Sequence, residues 1–127
     1  MSVVADASAI VDLLRGDLSQ AGLTALEGDI VAPDLLLIEV TATVSRWRRQ
    51  GLVTGVDAQL LVDTLMALPI ETLPVRQLLP RLLELSDRLS VYDACYVALA
   101  ESEDAVVVTT DHRLADAHNL PIRIVAV

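Results

Sequence analysis

The chain has 127 residues, 54% of them apolar, and a mean hydropathy of +0.54, enough to build one core in a single domain spanning residues 1–127. That apolar content excludes intrinsic disorder. The longest unbroken apolar run, Ala94 to Ala100, is far short of the roughly 20 residues a membrane-spanning helix needs. Asp6 and Asp12 interrupt the apolar start, so no secretory signal is expected, and the single Cys95 fits a reducing, cytoplasmic setting.

Nine cations face 18 acids for a net charge of −9, and the pI of about 4.4 disfavours general nucleic-acid binding through a basic surface. All nine cations are Arg. Without Lys, P-loop NTPases, Schiff-base enzymes and receiver-type phosphoacceptor domains are excluded. The five glycines form no GxGxxG fingerprint, and one Cys with two His is a poor zinc set. What remains in quantity is carboxylate, so chemistry is expected to run on Asp and Glu.

In chain order, Ser2 to Ala5 is a β-rich run ending at Asp6, and helical stretches follow from about Ser8 to Arg15 and Ser19 to Glu27. Ile30 to Ala32 reads as a second strand. Pro33 and Asp34 then open a long helix to about Gln50, stopped by Gly51. A helix over Val56 to Leu68 ends at Pro69, and Ile70 to Leu73 is a third strand. Val75, Leu78, Leu79, Leu82 and Leu83 keep helical spacing, with Pro80 marking a kink or the true start.

Ser90 to Glu103 is apolar nearly all round, the mark of a central buried helix. Ala105 to Thr109 is the clearest strand, and a short helix over His112 to His118 and a strand over Ile122 to Val125 complete the chain. Strands alternating with helices predict an α/β fold with a parallel sheet covered on both faces.

Four acids stand out. Asp6 follows the first strand immediately and Asp111 comes after the Val106-Val107-Val108 strand, both at the edge where open parallel sheets bind ligands, and both could equally be helix N-caps. Asp93 lies in the first turn of the buried helix, where a capping box with Ser90 would also explain it. Glu39 sits in Leu36-Leu37-Ile38-Glu39-Val40 with no capping role, so it is either a surface residue or a site acid. Ser8 is a local cap or a site hydroxyl, and Asp12 and Asp116 read as solvated helix positions. If the four acids converge, each pair about 5 Å apart repels by roughly 3 kcal/mol at an effective dielectric near 20. A hard dication, Mg²⁺ or Mn²⁺, removes that repulsion.

Four segments together resemble the PIN-domain ribonucleases, and among them the VapC-type toxins of bacterial toxin–antitoxin pairs. They are Val3-Val4-Ala5-Asp6-Ala7-Ser8, Ala32-Pro33-Asp34-Leu35-Leu36-Leu37-Ile38-Glu39-Val40, Leu89 to Ala100 around Tyr92-Asp93-Ala94, and Val108-Thr109-Thr110-Asp111-His112-Arg113-Leu114. The resemblance implies a three-layer α/β/α sandwich with a five-stranded parallel sheet. It implies an acidic, metal-binding and catalytic quartet of Asp6, Glu39, Asp93 and Asp111, supported by hydrogen bonds from Ser8 and Thr109.

It further implies Mg²⁺-dependent endonucleolytic cleavage of RNA, with Mn²⁺ as a substitute and 5′-phosphate and 3′-hydroxyl ends. No His base is needed, so His112 and His118 are expected at the surface or a helix end. The implied partners are RNA, a cognate antitoxin and a second copy in a homodimer, with no membrane; the hydrophobic excess agrees with a protein partner. Arg46, Arg48 and Arg49, on the helix of Glu39, are candidates for phosphate contact, with Arg46 at i+7 on the same face. Trp47 reads as a packing or interface residue. The alternative function is a noncatalytic scaffold that binds RNA or sequesters a protein.

Overall fold

The computed structural model describes residues 2–117 and 119–127; the expectation for His118 lies outside them. Strand β1 (Ser2–Ala5) is Val-rich and nearly wholly buried. Asp6 caps helix α1 (Ala7–Arg15) by accepting from the Ala9 N–H. Gly16, at φ 74°, closes α1 by donating to the carbonyls of Asp12 and Leu13, a left-handed conformation that favours glycine. Helix α2 (Gln20–Ala25) is capped by Ser19.

Strand β2 (Asp29–Pro33) leads into helix α3 (Leu35–Arg49). The sequence reading placed Pro33 in that helix, but Pro33 pairs with Leu73 as the last residue of the strand. It lies beyond Val31, the last β2 residue paired with β1, so its missing N–H interrupts no ladder there. Helix α4 (Gly55–Ala67) starts on Thr54, whose hydroxyl accepts from the Asp57 N–H at 3.0 Å. Thr54→Ala is expected to cost about 1 kcal/mol in denaturant melts, the usual loss of an N-cap.

After strand β3 (Ile70–Leu73) comes a 3-10 turn (Arg76–Leu78), then helix α5 (Leu79–Leu85) with Pro80 in its first turn. Pro80 therefore marks the true helix start, where its absent N–H is harmless. Helix α6 (Val91–Glu103) buries every residue from Ala94 to Ala100. Strand β4 (Val106–Thr109), the single-turn helix α7 (His112–Ala115) and strand β5 (Ile124–Ala126) follow. The last strand begins two residues later than its sequence reading, because its bounds are set by pairing with β4: Val107 aligns with Ile124 and Thr109 with Ala126.

The sheet is five-stranded and parallel, in the order β3-β2-β1-β4-β5. Helices α1, α3 and α4 pack together, as do α5 and α6, on opposite faces as right-handed crossovers require. The result is a three-layer α/β/α sandwich, as the sequence predicts. The connection from β1 runs to β2 on one side of the sheet, and the connection from its neighbour β4 runs to β5 on the other. The crevice at the carboxyl ends of β1 and β4 is the topological switch point where such sheets bind ligands.

Candidate active site

Asp6 ends the central strand and is 6% exposed. Its N–H donates to the Val108 carbonyl of β4 at 3.2 Å, which ties the two strand ends together. Oδ1 accepts from Ser8 Oγ at 2.6 Å and from the Ala9 N–H at 3.0 Å, and Oδ2 accepts from Thr109 Oγ1. The Ser8 and Thr109 hydroxyls lie 3.1 Å apart. Ser8 Oγ accepts from the Thr110 N–H and Thr109 Oγ1 from the Asp111 N–H. Asp6 is thus a helix cap whose carboxylate is also held by two side-chain hydroxyls, and Ser8 donates to that carboxylate rather than capping a helix. Burial pushes the Asp6 carboxyl above its ordinary range against these hydrogen bonds, and the Asp93 charge adds to the rise.

Glu39 projects from the second turn of α3 and is half-buried. Its Oε1 accepts from Tyr96 Oη of α6 at 2.6 Å. Burial raises its pKa, the Tyr96 bond opposes the rise, and the charges of Asp93 and Asp6 reinforce it. Asp93 stands in the first turn of α6, where its N–H donates to the Ser90 hydroxyl at 3.1 Å, the backbone half of a capping box. Burial again lifts its carboxyl, and the Asp111 charge adds to that.

Asp111 caps α7 and is turned toward Arg113: Oδ1 accepts from the Arg113 N–H at 3.0 Å and Oδ2 from Nη2 at 3.3 Å. Arg113 holds the Asp111 carboxyl below the usual range. The Arg113 side chain is 93% exposed, so this clamp is weak and easily displaced. Asp93, Asp111, Arg113 and Asp116 line one open hollow, and Ser8, Asp12, Thr43 and Thr110 line another. Asp116 is exposed, as the sequence reading expects.

The four acids therefore come from four separate segments and act on one another electrostatically, with Asp93 felt by both Asp6 and Glu39 and itself feeling Asp111. Among the described residues, no three His, Cys, Asp or Glu side chains are gathered tightly enough to enclose an ion as they stand. The donor set still fits a hard dication in its chemistry: every candidate is a carboxylate, and three of the four are held above their ordinary pKa where neighbouring cationic charge would bring them down. Cys95 is buried and its thiol is pushed up to about 11, so it is an inert core residue.

Arg46, Arg48 and Arg49 are exposed in the last turns of α3 and form no ion pair among the described residues. Arg46 lies seven residues beyond Glu39, roughly 10 Å along the helix axis. Arg48 lines a hollow between α3 and α4 with Val44, Ala58 and Gln59. Trp47 packs under the Arg15 guanidinium, 5.1 Å from ring centroid to carbon, beside Leu14, Leu52 and Leu61.

Sequence reasoning missed two residues at the site. Tyr96 looked like one more member of an apolar helix, although its position three residues after Asp93 puts both on one face. Arg113 carried a signal only in being two residues from Asp111.

The PIN domain family model matches residues 3–120. Ribonuclease VapC9 of Mycobacterium tuberculosis is 34% identical over 114 residues, covering 90% of this chain and 89% of the relative. Ribonuclease VapC12 of the same organism is 31% identical over 128 residues, covering 98% and 99%. Among solved structures, VapBC2 from Rickettsia felis, bound to a DNA fragment from its promoter, superposes with a TM-score of 0.70 at 15% identity over 100% of this chain and 99% of that one. PAE2754 from Pyrobaculum aerophilum gives 0.67 at 24% identity, covering 91% and 83%. These two structures share the fold, while the family match and the closer sequences set the kinship: the chain belongs to the PIN domain family, within its VapC ribonuclease group.

Proposed function

We propose that this chain is a divalent-metal-dependent endoribonuclease and the toxin of a toxin–antitoxin pair. The observation that carries the reading is the electrostatic coupling of Asp6, Glu39, Asp93 and Asp111 at the switch point of the sheet. The relatives named as VapC ribonucleases support it. Asp6, Glu39 and Asp93 would hold the metal, with Asp111 joining once Arg113 is drawn away. When bound, Mg²⁺, or Mn²⁺ in its place, supplies Lewis-acid charge at the phosphate and lowers the pKa of the attacking water, for in-line cleavage to 5′-phosphate and 3′-hydroxyl ends.

The chain's own residues prepare the rest. Ser8, Thr109 and the Ala9 N–H fix the Asp6 carboxylate in one orientation, which leaves its remaining lone pair aimed by the fold rather than by solvent. Arg113, exposed beside Asp111, is placed to trade that carboxylate for an RNA phosphate. Arg46, Arg48 and Arg49 offer positive charge in an otherwise acidic molecule, so RNA is gripped locally.

An antitoxin partner is supported by fold neighbours described as toxin–antitoxin complexes, from Klebsiella pneumoniae and Mycobacterium tuberculosis. Exposed Val56, Leu60 and Met66 on α4 and Leu79 and Leu83 on α5 provide apolar surface for that partner or for a second copy. No helix among the described residues is long and apolar enough to cross a membrane.

The test is purified protein with structured RNAs, treated with a chelator and then resupplied with Mg²⁺ or Mn²⁺. Cleavage is expected to stop on chelation and return with either ion. Cleavage that survives chelation overturns the metal-dependent reading, and metal uptake without cleavage of any RNA favours a sequestering scaffold.

A further inference from the structure

We propose that Tyr96 is a positioning residue of this metal site, its hydroxyl holding Glu39 in place to ligate. The inference rests on the reading that the carboxylates bind a divalent cation. Tyr96 is 2% exposed and its ring is part of the central core, so its hydroxyl is a fixed donor and not an adaptable one. Glu39, by contrast, is a long side chain half-open to solvent and repelled by Asp93 and Asp6. Left alone, it would relax away from them toward water.

The 2.6 Å bond from Tyr96 Oη to Oε1 opposes that escape, and a donor to a carboxylate at this length is of the strong, charge-assisted kind. Oε2 accepts no hydrogen bond from any described residue, so the grip leaves one oxygen for a ligand. The placement is built into one helix. Tyr96 lies three residues beyond Asp93 on α6, hence on the same face. The turn that presents one acid also carries the clamp for another, which arrives from α3 in the opposite helical layer. A buried phenol also needs a partner for its own sake, so the two roles must be separated by experiment: a phenol that is merely satisfied affects folding, while a positioning phenol affects metal affinity through Glu39.

Calorimetric titration with Mn²⁺ of the wild type, Tyr96→Phe, Glu39→Ala and the double variant separates them. Tyr96→Phe is expected to weaken Mn²⁺ binding about 10- to 100-fold, the usual effect of removing a ligand's hydrogen-bond partner. In the Glu39→Ala background the same change should have no effect. Unchanged affinity in Tyr96→Phe, or an equal loss with and without Glu39, overturns the assignment while the wild type still binds. A wild type that takes up no Mn²⁺ overturns the metal reading itself, and the role of Tyr96 with it.

Should Tyr96→Phe not fold, fluorotyrosine labelling keeps the question open to measurement, since the chain has only two tyrosines. The ¹⁹F resonance of Tyr96, assigned with Tyr92→Phe, is expected to shift on adding Mg²⁺ to the wild type and to stay still in Glu39→Ala. A resonance that ignores Mg²⁺ in the wild type, or shifts equally without Glu39, again overturns it.

Discussion

Asp93→Asn is expected to lower metal-dependent RNA cleavage by at least about 100-fold while raising the melting temperature of the metal-free protein. The lower bound follows because groups that only support a ligand already cost 10- to 100-fold when removed, and Asp93 would be a ligand itself. The rise in stability follows from its neighbours. Asp93 repels Asp6 and Glu39 and is repelled by Asp111, all around one crevice. Asparagine keeps the shape and the backbone N–H that donates to Ser90, but removes the charge. Cleavage assays and thermal melts on the same preparation check both halves. A variant that cleaves as well as the wild type would place the chemistry elsewhere, and one that melts lower without metal would show that Asp93 is structural.

Adding Mg²⁺ is expected to stabilise the protein strongly at pH 7–8 and only weakly near pH 5. Asp6, Glu39 and Asp93 all have pKa values raised in the folded state, chiefly by burial. The native state therefore binds more protons than the unfolded chain between the ordinary carboxyl range, roughly pH 4, and the raised values. Stability from these groups is full below that window and is lost as the pH rises through it. Asp111 works in the opposite sense: its lowered pKa contributes above the ordinary range and is lost as the pH falls through the lowered value. Its partner Arg113 is almost fully exposed, so the pair is screened by solvent and its share is small.

The metal-free protein should then be most stable on the acidic side of neutrality. At neutral pH, Mg²⁺ at about 100 times its dissociation constant adds roughly 2.7 kcal/mol, on the order of 10 °C for a chain of this size. At pH 5 protons compete for the same oxygens and the increment shrinks. Scanning calorimetry across this range with and without Mg²⁺ reads the outcome directly. An increment that is flat with pH would mean the ion binds away from these carboxylates.

Much of this arrangement was legible from local sequence. The Val-rich runs ending at Asp6 and before Asp111, and the helix apolar on every side around Ala94 to Ala100, are periodicity signals that need no tertiary information. Pro80 announced a helix start but not which of two alternatives, because a kink and an N-terminal turn share the same local signature. Pro33 misled for a related reason: proline before a helical run favours a first-turn position, and only the alignment with Leu73 of β3 shows it to be the end of a strand. Asp6 was open between a cap and a site acid; the fold shows the cap and leaves room for the other role, since one oxygen accepts from Ala9 while the other meets Thr109.

By itself the sequence determined the kinds of element, their order, and four acids placed at strand ends or inside apolar helices, because caps, periodicity and turn residues act over a few neighbours. Tertiary structure alone decided who restrains those acids. Tyr96 reaches Glu39 across 57 residues, and Thr109 reaches Asp6 across 103; such partners are selected by how helices α3 and α6 and strands β1 and β4 pack. Burial and neighbouring charge, which set the carboxylates' affinity for protons, likewise exist only once the layers have closed over the sheet.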